Sequence, residues 1–237
     1  MHTPPSLCYD ARVNPRTVRA AVVWGFDLPE CSKTVSPPAH LTQLLERVRA
    51  KGENFLSPER KAAVRNMLRF GSYKPAGRSK PSSEYLLAAA LENDFPLVNG
   101  PVDVNNAVSL EWGYPASIFD MDLCGAELLL RRGAEGESYI FNPSGQSIDL
   151  KDLLCVCRKE GAVWEPCGNP VKDAMAQEME NRGLGFEGLA KAIHALSTFW
   201  RDFRSTRTPR VDVVARSFRR ERNGAFPSWT VKLPDRT

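Results

Sequence analysis

Asp103, Asn105 and Asn106 sit within four positions of one another, an apolar stretch follows, and Gly113, Pro115 and Asp120 punctuate what comes after. Asn and Asp side chains bind nearby backbone groups and favour caps and turns. The run from Asn99 to Asp120 is therefore read as a shaped loop feeding a helix to about Trp112, with a second shaped loop behind it. Loops held on rigid elements are where ligands are usually recognised. The amides of Asn105 and Asn106 can donate to a developing oxyanion, and Asn142 and Ser144 lie on a turn, Phe141 to Gly145, whose backbone N–H groups can face a ligand. Glu111 and Asp173 can orient a water or receive an ammonium group, while Arg78, Lys80 and Lys172 can hold a phosphate.

Each of these residues has a plainer reading. Asn105 or Asn106 can cap the helix that follows, Glu111 can face solvent, and Ser82-Ser83-Glu84 reads as a helix start. Lys172 and Asp173 can pair with each other, Gly168 and Pro170 can form a tight turn, and Lys74, Arg78 and Lys80 can be a solvated loop. Histidine, the usual general base near neutral pH, offers little: His2 is terminal, His40 is at a helix start, and His194 is beside the apolar face of a helix. Of the six cysteines only Cys155 and Cys157 are close together, among Leu153, Leu154 and Val156. They read as two small thiols on one face of a buried strand rather than as a metal or redox pair, since no second pair at zinc spacing and no histidine is nearby. No metal and no cofactor is expected.

The elements that must position these groups follow from patterning. Leu41, Leu44, Leu45 and Val48 mark a helix over about 39–50, and Ser57-Pro58-Glu59 starts another that ends near Gly71. A glycine-, proline- and base-rich loop, 71–81, precedes a helix with Leu86, Leu87 and Leu91 inward. Val18 to Phe26 reads as a central strand, and Ala126–Arg131 and Ser138–Phe141 as strands joined by the turn Gly133–Gly136. Leu153–Arg158, Val163-Trp164 and Val211–Ala215 continue the strand set, and 184–204 is an amphipathic helix. The result is an α+β (mixed α/β) chain of layered form, mixed sheets flanked by helices. A length of 237 residues suits one domain, 1–216, followed by a basic tail or hairpin, 217–237.

Composition narrows the function classes. Hydrophobic content of 42% and charged content of 25% are ordinary for a globular chain. No apolar run is long enough to span a bilayer and no signal peptide is visible, so a cytoplasmic protein with reduced thiols and no membrane partner is expected. The net charge of +4 is unevenly placed: residues 201–222 hold eight arginines against three acids. Arg204, Arg207, Arg210, Arg219 and Arg220 stand among Phe199, Trp200, Phe203, Phe218, Phe226 and Trp229. Arginine forks suit phosphates and aromatic rings can stack on unpaired bases, so either a nucleic-acid surface or a solvated basic helix and tail fits.

Three blocks also resemble a known family. Val102-Asp103-Val104-Asn105-Asn106 through Phe119-Asp120 is similar to the signature of the editing domain of the bacterial phenylalanyl-tRNA synthetase beta subunit. Gly71 to Leu87 and Pro166 to Ala176 resemble the free-standing relatives of that domain, and the resemblance covers residues 60–176 best. It implies the fold of that domain and hydrolysis of mischarged aminoacyl-tRNA in trans, with Lys80, Ser83, Glu84, Glu111, Asn142, Ser144, Gly168, Asn169 and Lys172 around the substrate. Catalysis would fall to Asn105, Asn106, Ser117 and Asp173, and tRNA contact to Arg78 and the C-terminal arginines. An aminoacyl ester is already activated, so a polar pocket that positions a water and steadies the oxyanion suffices.

The chain departs from the family in two places. Where the synthetases have a histidine before Ala-Phe-Asp, this chain has Ser117 before Ile118-Phe119-Asp120. After Met175 it runs into a different helix and a basic tail. The alternative reading is therefore a non-catalytic module that binds tRNA or an amino acid on the same fold. The oligomeric state, the amino acid and the tRNA are not legible.

Overall fold

Ser57 starts a helix in the way its sequence context requires: its hydroxyl accepts from the Arg60 N–H at 3.3 Å, with Pro58 in the first turn. In a computed structural model that describes residues 5–14, 17–18, 20, 22–25, 34–119, 121–140, 145, 147–167, 211–215 and 229–231, this helix is the second of five. The helices among those residues are α1 (Ala39–Lys51), α2 (Pro58–Leu68), α3 (Ser82–Leu91), α4 (Gly100–Trp112) and the short α5 (Met121–Cys124). The strands are β1 (Ser6–Tyr9), β2 (Val22–Gly25), β3 (Glu127–Arg132), β4 (Ser138–Ile140), β5 (Ser147–Asp149), β6 (Leu154–Glu160), β7 (Val163–Pro166), β8 (Val211–Ala215) and β9 (Trp229–Val231). The fold is α+β. No helix of the described residues is long and apolar enough to cross a membrane.

The main sheet runs β1-β3-β6-β7. Its parallel pair joins Ser6–Tyr9 to Glu127–Leu130 across most of the described chain, and β6 and β7 extend it as an antiparallel hairpin. Separate antiparallel groups are β2-β8-β9 and β4-β5. Buried residues form two clusters. One lies between the sheet (Leu7, Leu128, Leu130, Leu154, Val156) and Val64, Met67 and Leu68 of α2. The other is helical, with Leu41, Leu44, Leu45 and Val48 of α1 against Leu86, Leu87 and Ala90 of α3 and Ala107 and Leu110 of α4. That is the stripe the leucine spacing of α1 foretells.

Four expectations are corrected here. Of the strand expected over 18–26, the part described as strand is Val22–Gly25; it pairs with β8 alone, so among the described strands it lies at a sheet edge rather than centrally. β3 and β4 do not form a hairpin, because β3 is already flanked by β1 and β6 and β4 pairs with β5. The loop expected over 99–106 is already helix from Gly100, because Asn99, not Asn105 or Asn106, accepts from the Val102 N–H at 3.1 Å. No serine caps α3, whose N-cap is Pro81. The helix expected over 184–204 and the segment 217–228 lie outside the described residues.

Two arginines of β3 lock the turn that follows it. Arg131 binds both carboxylate oxygens of Glu137, whose carboxylate also accepts from the Ala134 N–H at 2.8 Å. The Arg131 hydrogen bond holds the Glu137 carboxyl below its usual value, outweighing burial. The folded state therefore takes up a proton later than the unfolded chain as pH falls. The pair's contribution is whole above the unfolded value of 4.5 and is lost as pH drops through the depressed folded value. Glu137→Gln is expected to cost about 1–2 kcal/mol at pH 7 in urea melts. The gap to the parent protein should close on the acid side of pH 4.5; a gap that persists unchanged into acid would contradict the pairing. Arg132 is buried, with Nη1 donating to the carbonyls of Leu68 at 3.0 Å and Asp152 at 3.3 Å and its guanidinium 4.6 Å from the Phe70 ring. Burial pushes it down to about 10, which leaves it cationic at neutral pH.

Candidate functional site

Two polar residues of α4, Asn105 and Ser109, point at the loop that follows it. Asn105 and Ser109 are one turn apart and so share a face. Asn105 Nδ2 donates to the carbonyl of Ala116 at 2.9 Å, and Ser109 Oγ to that of Tyr114 at 2.6 Å. Ser83 Oγ, from α3, donates to the carbonyl of Gly113 at 3.0 Å, and Arg60 Nη1, from α2, to that of Trp112 at 2.9 Å. Four of the five carbonyls from 112 to 116 are thus held by side chains of three helices. Gly113 makes the reversal possible with φ of 75°, a left-handed value that ends α4, and a side chain there would press on Arg60 and Leu56 at 3.0 Å. The Arg60 guanidinium also stacks 4.7 Å from the Tyr114 ring. Each buried carbonyl left without its donor would cost about 1–3 kcal/mol, so the segment is a rigid wall rather than a mobile loop.

The site residues read from the sequence sort accordingly. Asn105 is buried and its amide is committed to Ala116, and Ser83 is likewise buried and committed to Gly113. Asp103 is buried at the start of α4, where Oδ1 accepts from the Val98 N–H at 2.8 Å. Asn106 and Ser117 are the chain neighbours of the bonded pair Asn105 and Ala116, and both are half-buried. The Asn106 side chain makes no hydrogen bond to another described residue. Glu84 is taken up by both nitrogens of the Arg65 fork at 2.7 and 2.5 Å, which ties α3 to α2. Glu111 pairs with Arg47 of α1 at 2.7 Å. Asn142, Ser144, Gly168, Asn169, Lys172 and Asp173, and Arg204, Arg207, Arg210, Arg219 and Arg220, lie outside the described residues.

Beside the wall runs the basic loop. Tyr73 donates its hydroxyl to the carbonyl of Ser79 at 2.8 Å and Tyr85 donates to that of Arg78 at 2.8 Å, pinning residues 73–80 from two sides. Lys80 lies 4.5 Å from the Tyr85 ring. No acid occurs from position 69 to 83, which carry Arg69, Lys74, Arg78 and Lys80. These four form no ion pair among the described residues, as is also true of Arg49, Lys51, Arg60 and Lys61, whereas Arg47, Arg65, Arg131, Lys151, Arg158 and Lys159 are each matched by a carboxylate. At the far end Cys155 and Cys157 are buried on one strand, as their spacing implies, and burial pushes the thiols up to about 12 and about 11. Such thiols stay protonated and are poor nucleophiles.

Sequence reasoning missed Arg60, Ser109 and Arg132. The spacing of Asn105 and Ser109, one helical turn apart and followed by Gly113-Tyr114-Pro115, is the signal that could have found the carbonyl clamp. The segments 71–87 and 99–119 do meet, through Ser83 and Gly113. Of the third segment only Pro166 and Cys167 are described.

Residues 73–169 match the family model of the B3/4 domain, the domain found in the phenylalanyl-tRNA synthetase beta subunit, and this stretch of the chain is a homologue of that domain. It takes in the clamped carbonyls 112–116 with Ser83, Asn105 and Ser109, most of the basic loop, α3, α4 and the main hairpin, while Arg60 and Arg69 lie before it. Comparison with curated proteins and with solved structures finds no match.

Proposed function

We propose that the chain, carrying a B3/4 domain as its centre, is an aminoacyl-tRNA deacylase that hydrolyses the ester of mischarged tRNA in trans. The observation that carries the reading is the pairing of a rigid wall, fixed at four carbonyls, with an amide left over beside it. Asn106 donates to the developing oxyanion and the Ser117 hydroxyl orients the attacking water. Water adds to the ester carbon, the bond to the ribose oxygen breaks, and the tRNA leaves as the free 3′-terminal hydroxyl with the amino acid released. The vicinal ribose hydroxyl passes the proton that a histidine would carry elsewhere. Asp173, Lys172, Asn169, Gly168, Asn142 and Ser144 are the candidates for the remaining polar contacts, Asp173 as partner of the water or of the α-ammonium group. Incubation of the full chain with a panel of mischarged tRNAs should release amino acid from at least one of them, and Asn106→Ala should slow that release by about 10²-fold. No release above the buffer rate from any of them would overturn the reading.

A second reading has its own support. Asn105 and Ser83, two of the proposed site residues, are spent on the clamp, which leaves few groups for chemistry and suits a module that binds tRNA without changing it. Both readings need an RNA surface. The loop 69–80 suits one, because its backbone is pinned and its cations have no carboxylate partners to give up among the described residues. The double change Lys74→Ala with Arg78→Ala is expected to weaken tRNA binding and to lower the slope of log K against log salt by about 0.7–0.9 per lost contact. An unaltered slope would remove this loop from the interface.

A further inference from the structure

Two of the described thiols are neither buried nor alone. Cys124 ends α5 and Cys167 directly follows β7, both half-buried at the margin of the sheet core. Cys124 Sγ lies 3.7 Å from the carbonyl oxygen of Cys167, and Cys167 Sγ lies 3.5 Å from that of Val156, to which the Cys167 N–H also donates at 3.1 Å. Cys167 is thereby fixed to β6, with its carbonyl against the Cys124 sulfur. Burial and then the contact with the Cys124 sulfur push the Cys167 thiol up, so it keeps its proton. By contrast Cys155 and Cys157, 1% and 0% exposed, are closed to reagents, and their position two apart on one strand does not suit a disulfide with each other.

We infer that Cys124 and Cys167 form a reversible disulfide when the protein meets hydrogen peroxide. The Cys124 thiolate attacks one peroxide oxygen, the O–O bond breaks, and a sulfenic acid forms at Cys124 with release of hydroxide. The Cys167 sulfur then attacks the Cys124 sulfur, the S–O bond breaks, and the departing hydroxide leaves as water with the proton of Cys167. Two thiols and one peroxide thus give one disulfide and two waters: each sulfur is oxidised by one electron and the peroxide is reduced by two. The bond would tie the segment that follows the clamped wall, Ser117 to Cys124, to the start of the block Cys167 to Asp173. The inference is independent of the hydrolytic reading.

The test treats the folded full chain with hydrogen peroxide, blocks remaining thiols with N-ethylmaleimide, and maps the products by mass spectrometry without reduction. Before alkylation the intact mass should fall by two hydrogens and dithiothreitol should restore it; after alkylation a peptide pair joined through Cys124 and Cys167 should appear. Cys167→Ser should leave Cys124 trapped as a sulfenic acid by dimedone, and Cys124→Ser should leave Cys167 unoxidised under the same treatment. A disulfide mapped to another pair, such as one using Cys8 or Cys31, would overturn the inference. So would stepwise oxygen addition without any linked peptide, or no reaction at concentrations that oxidise free cysteine.

Discussion

Gly133→Ala is expected to remove a large part of the stability of the fold. A Cβ at this position would lie 1.9 Å from the carbonyl oxygen of Leu150, 2.7 Å from its carbonyl carbon and 2.9 Å from its Cβ. These are backbone atoms and the root of a side chain, not the movable end of one. The contact is also bonded on every side: Gly133 N–H donates to the Leu153 carbonyl at 2.8 Å and its own carbonyl accepts from Asp152 N–H at 3.1 Å. Leu150 N–H donates to the Glu137 carbonyl at 2.9 Å, and Leu150 is wholly buried in the sheet core. Moving the chains apart would break these bonds and open the core at the start of β6. The cost should be about 4 kcal/mol or more, a large part of a typical domain's total of about 5–15 kcal/mol. Urea unfolding followed by circular dichroism measures it; a loss below about 1 kcal/mol would show that the close approach is not tight.

Asn105→Asp should produce the largest effect among the polar residues of the wall, and it isolates one bond. The replacement has nearly the same shape but turns a donor into an ionised acceptor, set against the Ala116 carbonyl that Asn105 now binds at 2.9 Å. Burying that charge against a carbonyl should cost about 2–4 kcal/mol at pH 7. Because burial favours the neutral acid, the introduced carboxyl holds its proton above the ordinary carboxylate range, and in that neutral form it can again donate to Ala116. The deficit should therefore shrink as pH falls, as that of Glu137→Gln does, but here because the variant regains stability rather than because the parent loses it. If the wall receives the substrate, the same change should lower kcat/KM for ester hydrolysis by about 10²-fold through misplacement of Ser117. Equal stability of the two proteins at pH 7 would refute the clamp.

The contrast between Asn105 and Asn106 also explains how far the sequence could be read. Helix α1 was legible because Leu41, Leu44, Leu45 and Val48 all face one core, so local spacing and tertiary burial agree. Helix α2 was legible because Ser57 and Pro58 act within one turn. The partner of β4 was not, because Gly133–Gly136 is a sound turn signal whichever strand lies beyond it, and pairing is decided by contacts distant in sequence. Nor was the role of the Asp103, Asn105 and Asn106 cluster. A buried amide satisfied by a loop carbonyl and an amide facing a ligand obey the same demand for a hydrogen bond, and residue type records only the demand. Arg132 hid for a related reason: an arginine at the end of a strand reads as a surface charge, and only the carbonyls of Leu68 and Asp152 beside the Phe70 ring make it a buried tie. The family resemblance located the domain, and residues 73–169 bear that out. It could not divide that domain's polar residues between scaffold and site.

The most direct test of the account is a crystal structure of the full chain with a non-hydrolysable aminoacyl-adenosine analogue, its ester oxygen replaced by nitrogen. The analogue is predicted to lie with its acyl carbonyl within hydrogen-bond distance of the Asn106 amide and its α-carbon against Ala116-Ser117, leaving the Asn105–Ala116 bond intact. An analogue bound away from α4 and the 112–117 wall, or none bound at saturating concentration, would contradict it.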